Sequence, residues 1–357
     1  MTAGFSIICG EFMKPRVLVF LGGVSREHDI SMMTGAAIIA SLPAAGCEPV
    51  PCVIGRDGSM SFPDAGDLAA SAPSMSFAEA IGRIASIAPD CIFIGLHGTV
   101  GEDGRIQSLC DLMGLPYVGS DSIGSAVGID KWVTKAVYQA SGVPTPAGLM
   151  LQGRELDDRS ALDAALDITG IPVVLKATRE GSSFGVTIVR ERERFDDGLR
   201  QVRGTSDMLV FEAYKKGREF SVPVLEDPLT GVPRTLPIIE IVVHKADFFD
   251  YGSKYDPAAA DEVCPARVEE GAAQRMRQAA LLAHRALMLS GYSRTDFILD
   301  PDGAIWALET NTLPGMTDKS LFPKAAAAAG ISYPNLLSAL VGGAIRRHKQ
   351  RCDKPVS

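Results

Sequence analysis

Near its start the chain runs twice from a short apolar strand into a glycine turn and then a helix, and this alternation narrows the folds open to it. Residues 16–21 (RVLVFL) lead into Gly22 and Gly23, and an Ala/Ile-rich helical stretch follows over about 31–42. Residues 91–96 (CIFIGL) repeat the pattern, with a loop from His97 and Gly98 to Gly104 and a helix ending by Gly114. Strands joined through helices rather than tight turns do not pair as hairpins. They predict an α/β unit with a mainly parallel sheet and ligand loops at the carboxyl ends of its strands.

At 357 residues the chain is longer than one hydrophobic core supports, so further domains are expected. The composition turns to Gly and Ser over 119–128, which sets a first boundary, and a Lys/Gly linker at 215–217 sets a second. The expected division is an extension at 1–13, with Met13 as an alternative start, an N-terminal α/β domain at 14–124, a central domain at 125–214 and a C-terminal domain at 215–357. The central part reads as a helix over 131–140, a strand over 172–176 that ends in Lys176, a glycine loop at 180–185 and a strand over 208–212. The last part reads as strands near 219–225 and 236–243, a helix near 271–289, a hairpin over 292–310 and two closing helices. The basic end at 346–354 reads as a frayed, solvated tail.

Hydrophobic residues make up 46% and charged residues 22%, a globular composition. The net charge of -8 disfavours a nucleic-acid or anionic-membrane partner, since either calls for a concentrated basic face. No apolar run approaches the ~20 residues of a membrane span. The seven cysteines are scattered without metal-knuckle or CxxC spacing, which suits a reducing compartment, and the reading is cytoplasmic.

The hairpin carries the most chemistry. Asp300, Pro301, Asp302 and Gly303 have the placement of a type I turn. If residue 300 faces 303, Asp296 lies opposite Ala307 and Arg294 opposite Glu309. Arg294, Asp296 and Glu309 then share one face, while Thr295, Phe297, Leu299, Trp306 and Leu308 share the buried one. Such a set fits surface ion pairing worth ~0 to 1 kcal/mol. The sequence that follows favours instead a site for a hard cation, because Asn311 and a glycine turn come directly after and oxygen ligands suit magnesium. Elsewhere, the small residues of Glu180-Gly-Ser-Ser-Phe-Gly185 would let backbone amides approach a phosphate. An ordinary glycine turn explains them as well. Lys131 and Lys254 are further candidates for phosphate charge, against solvated surface lysines; Glu27 and His97 sit in loops beside predicted strand ends.

Read together, LGGVSREHDIS, GLHGTVGEDG, GIDK, VLKATREGSSFG, YGSKY, GYSRTDFIL and LETNTLPGMT resemble the D-alanine-D-alanine ligase family of the ATP-grasp superfamily, in the right order from about residue 16 to 340. The resemblance implies a mixed α/β, three-domain ATP-grasp architecture. It implies an ATP-dependent ligase that forms D-alanyl-D-alanine through an acyl phosphate for peptidoglycan synthesis. Sister enzymes use D-serine or D-lactate as acceptor, and an inactive ATP-binding regulator would belong to another class. By resemblance Lys131 and Lys176 hold ATP phosphates, Glu212 and Glu219 bind adenine and ribose, and Tyr214 lines the base pocket. Asp296, Glu309 and Asn311 are implied ligands of magnesium or manganese. Glu27 accepts the ammonium group of the first D-alanine with His97 nearby, and Ser182, between Glu27 and Tyr255, orients that site. Arg294 and the Gly315 amide form the oxyanion hole, Lys254 touches the transferred phosphoryl group, and Ser320 binds the acceptor carboxylate. A homodimer is implied. Ala213, Phe249 and Lys319 depart from the family pattern, Lys319 by placing a charge beside Ser320.

Overall fold

The computed structural model describes residues 14–68, 72–181, 184–244 and 260–353. The first sheet is built on β1 (Arg16–Gly22), which pairs in parallel with β2 (Glu48–Ile54) and β4 (Cys91–Ile94). A short antiparallel edge, β3 (Met60–Ser61), completes the order β3-β2-β1-β4. Val17 to Leu21 and Cys91 to Ile94 are buried almost completely. Their continuous apolar runs are explained by a sheet covered on both faces. α1 (His28–Ser41), α2 (Phe77–Ile87) and α3 (Arg105–Leu112) belong to this part, and Ser76 and Glu79 close a reciprocal capping box at the start of α2.

The Gly/Ser-rich stretch carries a helix, α4 (Ser122–Ile129), which runs into α5 (Lys131–Ser141). Asp121 caps α4 by accepting the Gly124 N–H at 2.9 Å. The glycines are there for close approach. A Cβ at Gly128 would lie 2.4 Å from the Thr312 methyl, and one at Gly124 would lie 3.0 Å from the Met288 carbonyl oxygen.

A second, antiparallel sheet holds β5 (Gly148–Gln152), β6 (Val173–Ala177), β7 (Val186–Val189) and β8 (Met208–Ala213) in the order β5-β8-β6-β7. α6 (Arg159–Thr169) and α7 (Phe195–Arg203) pack on it around Leu162, Leu166, Phe195 and Phe211. The third sheet contains β9 (Arg218–Glu226), β10 (Pro233–Thr235), β11 (Ile239–Val243), β12 (Ala260–Val263), β13 (Tyr292–Leu299) and β14 (Ile305–Asn311). Its path is β12-β11-β9-β13-β14, with β10 also on β9. α8 (Glu270–Ala286) buries Met276, Ala280 and Ala283 against Phe220, Val222 and Phe297. α9 (Leu321–Ala328) and α10 (Tyr333–Cys352) send Phe322, Leu336, Leu337 and Leu340 into the same core as the first sheet, which ties the two ends of the chain together. Among the described residues, no single helix is long and apolar enough to cross a membrane.

Two expectations need correction. Residues 346 to 352 are not a frayed tail: they complete α10, Arg347 donates to Glu226 and to the Gly119 carbonyl, and Arg346 donates to the Leu229 carbonyl. Guanidinium groups with fixed acceptors turned a basic run into a docked helix end. The hairpin register also differs. Gly303, at φ +82°, lets the chain close with residue 300 facing 304, so Phe297 pairs with Ala307 rather than Asp296 with Ala307. Leu308 is then left as an extra residue, and beyond it Asp296 lies directly opposite Glu309 and Arg294 opposite Asn311. The charged face survives because the bulge restores its phase. Trp306 changes face: it pairs with Ile298, stays half-buried, donates to Asp300 at 2.8 Å and carries Lys215 over its ring at 3.9 Å.

Candidate functional site

The ends of β1 and β4 are neighbours, so the loops that follow them meet. Glu27 stands at the N-terminus of α1, and His97 leads out of β4. The His97 N–H donates to the Ser31 hydroxyl at 2.9 Å, and its Nε2 lies 2.9 Å from Thr34 Oγ1, so α1 holds the loop in place. His97 is buried, and burial, assisted by the nearby Arg294 charge, lowers its pKa to about 4. It is a neutral ring at physiological pH. Glu102, in the same loop, accepts the Gly98 N–H at 2.7 Å. Burial and the Glu27 charge raise its carboxyl to about 8.

The hairpin supplies the opposite wall. Arg294 donates twice to Asp296, each bond at 2.9 Å, and Asp296 also accepts the Ser221 hydroxyl from β9 at 2.6 Å. Burial acts to lower the Arg294 pKa, but Asp296, Glu309 and Glu102 outweigh it and the guanidinium is held firmly charged. Lys131, the first residue of α5, donates to the Glu180 carbonyl at 2.6 Å and lies 3.2 Å from Glu309. That pair joins the second part of the chain to the hairpin. Beyond β14, Ser320 turns its hydroxyl toward Thr317, 2.7 Å from Oγ1, and against Gly315.

These groups line one cleft of about 970 Å³: Glu27, His97, Lys131, Glu219, Arg294, Asp296, Glu309, Asn311, Gly315 and Ser320 all face it. Three other expected residues do not. Lys176 is bonded to Glu212 at 2.5 Å, and Lys135 reaches the other oxygen of that carboxylate at 2.7 Å. Burial acts to raise the Glu212 pKa, yet the two lysines keep it below the ordinary value. Tyr214 carries Arg190 over its ring at 5.2 Å. Ser182, Lys254 and Tyr255 lie outside the described residues, as do Phe249 and the extension at 1–13.

Sequence reasoning passed over Glu102, Lys135 and Ser221. Glu102 stood inside the quoted GLHGTVGEDG segment, and Lys135 is one helical turn from Lys131, so both had a signal. Ser221 had none, because its place beside Asp296 depends on the pairing of β9 with β13.

Asp296 and Glu309 offer carboxylate oxygens on one face of a ribbon, and Asn311 an amide oxygen that accepts the Leu313 N–H at 3.1 Å, which matches the ligand chemistry of a hard cation. Among the described residues no group of three His, Cys, Asp or Glu side chains stands ready to hold a metal. Cation binding would therefore replace the contacts that Arg294, Ser221 and Lys131 now make to the two carboxylates. A cleft with this content can bind an ammonium group at its acidic end, offset phosphate charge at Lys131, and offer donors to a developing oxyanion at Arg294 and Gly315.

Family models described as D-ala D-ala ligase N-terminus and C-terminus match residues 16–120 and 137–342. A D-alanine-D-alanine ligase of Halorhodospira halophila is 38% identical over 334 residues, covering 93% of this chain and 96% of that protein. The crystal structure of a D-alanine-D-alanine ligase from Bacillus anthracis complexed with ATP matches with a TM-score of 0.74 at 31% identity, over 94% of this chain and 99% of that one. The VanG D-Ala:D-Ser ligase of Enterococcus faecalis matches with a TM-score of 0.79 at 26% identity, over 92% of this chain and 99% of that one.

Proposed function

Because the chain belongs to the D-alanine-D-alanine ligase family, we propose that it joins two D-alanine molecules at the expense of ATP, for peptidoglycan synthesis. It is an ATP-dependent carboxylate-amine ligase of ATP-grasp architecture. One observation carries the reading to this site: ten residues to which the resemblance gives roles line a single cleft, although they come from distant parts of the chain.

A carboxylate is a poor electrophile, so the first D-alanine is activated as an acyl phosphate, and the amine of the second attacks it. Glu27 accepts the ammonium group of the first substrate and orients its carboxylate toward the nucleotide. Neutral His97, fixed by Thr34, shapes that subsite without adding charge that would repel the ammonium group. Lys131 and Lys176 offset phosphate charge, and Glu212 and Glu219 bind the adenosine. Arg294 and the Gly315 amide stabilise the tetrahedral oxyanion. Donors set in advance need no reorganisation as the charge appears, which is why losing one costs ~10² to 10³ in rate. Asp296, Glu309 and Asn311 would hold magnesium or manganese, which supplies charge neutralisation along the triphosphate when bound. Ser182, Lys254 and Tyr255 keep the roles that the resemblance implies, closing the site against water and contacting the phosphoryl group. Ser320 receives the acceptor carboxylate.

The domain division at 14–124, 125–214 and 215–357 is part of the same proposal, as are a homodimer, a cytoplasmic location and the absence of nucleic-acid or membrane partners. D-Serine as acceptor is the second reading, supported by the likeness to the VanG ligase. Incubation with ATP, magnesium and D-alanine alone is expected to yield ADP, phosphate and the dipeptide. Phosphate release only after D-serine or D-lactate is added would transfer the assignment to a sister activity, and no ADP across a panel of D- and L-amino acids would defeat it.

A further inference from the structure

The ribbon that carries Arg294, Asp296, Glu309 and Asn311 has a second face, turned into the core beside α8, and that face is not wholly apolar. Thr295 on β13 and Thr310 on β14 lie directly opposite each other, with their hydroxyls 2.7 Å apart. The Tyr138 hydroxyl, from α5, lies 2.5 Å from the Thr310 hydroxyl. All three side chains are buried, Tyr138 and Thr295 completely. The Tyr138 ring packs in the same cluster as Phe220, Phe297 and Ala307.

Side chains alternate along a strand, so Thr310 stands between Glu309 and Asn311, and Thr295 between Arg294 and Asp296. Whatever holds Thr310 therefore fixes the backbone from which its two neighbours project. The bulge at Leu308 interrupts the ladder just before them, and α5 with the segment after it grips β14 on both sides of that break. On the near side, the Ala307 N–H donates to the Pro144 carbonyl at 2.7 Å, and the Ala307 carbonyl accepts the Thr145 hydroxyl at 2.9 Å. On the far side stands Tyr138. Lys131, about two helical turns before Tyr138 on α5, lies 3.2 Å from Glu309 on the charged face. An apolar side chain at 138 could fill the same space. Only a hydroxyl adds direction, because a buried hydrogen bond is costly to leave unmade.

We propose, resting on the cation reading above, that Tyr138 is a positioning residue: its hydroxyl, acting through Thr310, aims Glu309 and Asn311 at the divalent cation they would hold. Tyr138 does not itself face the cleft, so it acts only through the strand. Apolar contacts alone tolerate small shifts of a packed strand, whereas the chain from Tyr138 through Thr310 to Thr295 is satisfied in one arrangement. Removing a single oxygen from the core is then felt on the opposite face of the ribbon, where the cation binds.

The test reads cation affinity without turnover. Mn2+ is titrated into the full-length enzyme with ADP saturating, and the electron paramagnetic resonance signal of the free ion is followed against an enzyme-free control. Urea curves of the same preparations report stability. Tyr138→Phe should weaken Mn2+ binding about three- to tenfold, the range set by one buried hydrogen bond. Thr310→Val keeps the shape of the side chain, loses the hydroxyl and should do the same. Thr310→Ser keeps the hydroxyl and loses a buried methyl, so its urea midpoint should fall while its Mn2+ affinity stays at the wild-type value. Affinity and stability then separate, which a purely structural role does not allow. Wild-type Mn2+ affinity in both Tyr138→Phe and Thr310→Val overturns the positioning role alone, and so does an affinity that falls in step with the urea midpoint in all three variants. No Mn2+ binding by the wild type overturns the cation reading and the role of Tyr138 with it.

Discussion

Two carboxylates in this molecule each face lysine, and they have opposite settings. Glu212 is 3% exposed and is clasped by Lys135, equally buried, and by Lys176. Glu309 is 35% exposed, faces Lys131 across the cleft, and stands on the ribbon opposite Asp296. Around Glu212 water is excluded, so every charge must be matched by a fixed partner and removing one leaves the others stranded. Around Glu309 solvent lowers the cost of exchange, and the carboxylate can trade its lysine for a ligand. Like residue types therefore hold fixed partners in one region and exchangeable ones in the other, and burial decides which.

The sharpest way to break this comparison is to neutralise each acid in turn. Glu309→Gln is expected to remove turnover, by ~10³-fold or more if it binds the cation as proposed, with little change in urea midpoint. Glu212→Gln leaves two buried lysines without an anion and should cost about 3 to 5 kcal/mol of stability, read from the same urea curve. Near-normal activity in the first variant would remove the cation assignment, and an unshifted urea midpoint in the second would show that the lysine clasp is not structural.

Arg294→Ala should lower the maximal rate by ~10² to 10³ while ATP affinity stays close to wild type. ATP affinity lost with the rate retained would make Arg294 a nucleotide anchor instead. The smallest effect is expected at Glu102, and it depends on pH. In the folded protein its carboxyl keeps its proton up to about 8, against an ordinary value of 4.5. Between these values the folded state binds more protons than the unfolded one, so raising the pH through that window removes stability. Glu102→Gln cannot titrate, so its stability relative to wild type should rise from pH 4.5 to pH 8 and level off beyond. Stability curves that run parallel across the window would place Glu102 in a more polar setting than the Gly98 contact and its burial imply.

Much of the fold could be read in advance. The apolar strands ending at Gly22 and in the loop before His97, the helix beginning at Lys131 and the turn at Asp300 to Gly303 are local patterns, set by side-chain period and turn chemistry over a few residues. The candidate site was legible where a residue stood in such a pattern: Glu27, His97, Lys131, Arg294, Asp296 and Glu309 were all named. The misses have one kind of cause. The hairpin register depended on where Gly303 closed the turn and on the bulge at Leu308, and strand neighbours, not sequence, chose both. Arg347 became an interior donor because Glu226 and the Gly119 carbonyl came within reach.

The sequence by itself determined the elements, the turn residues and the chemical types available to the cleft, because these rest on interactions within about a helical turn. Only the tertiary structure decided the protonation of His97 and Glu102 and the seclusion of Glu212. Burial and charge pairing depend on what packs against a group, and those neighbours arrive from parts of the chain far away in sequence.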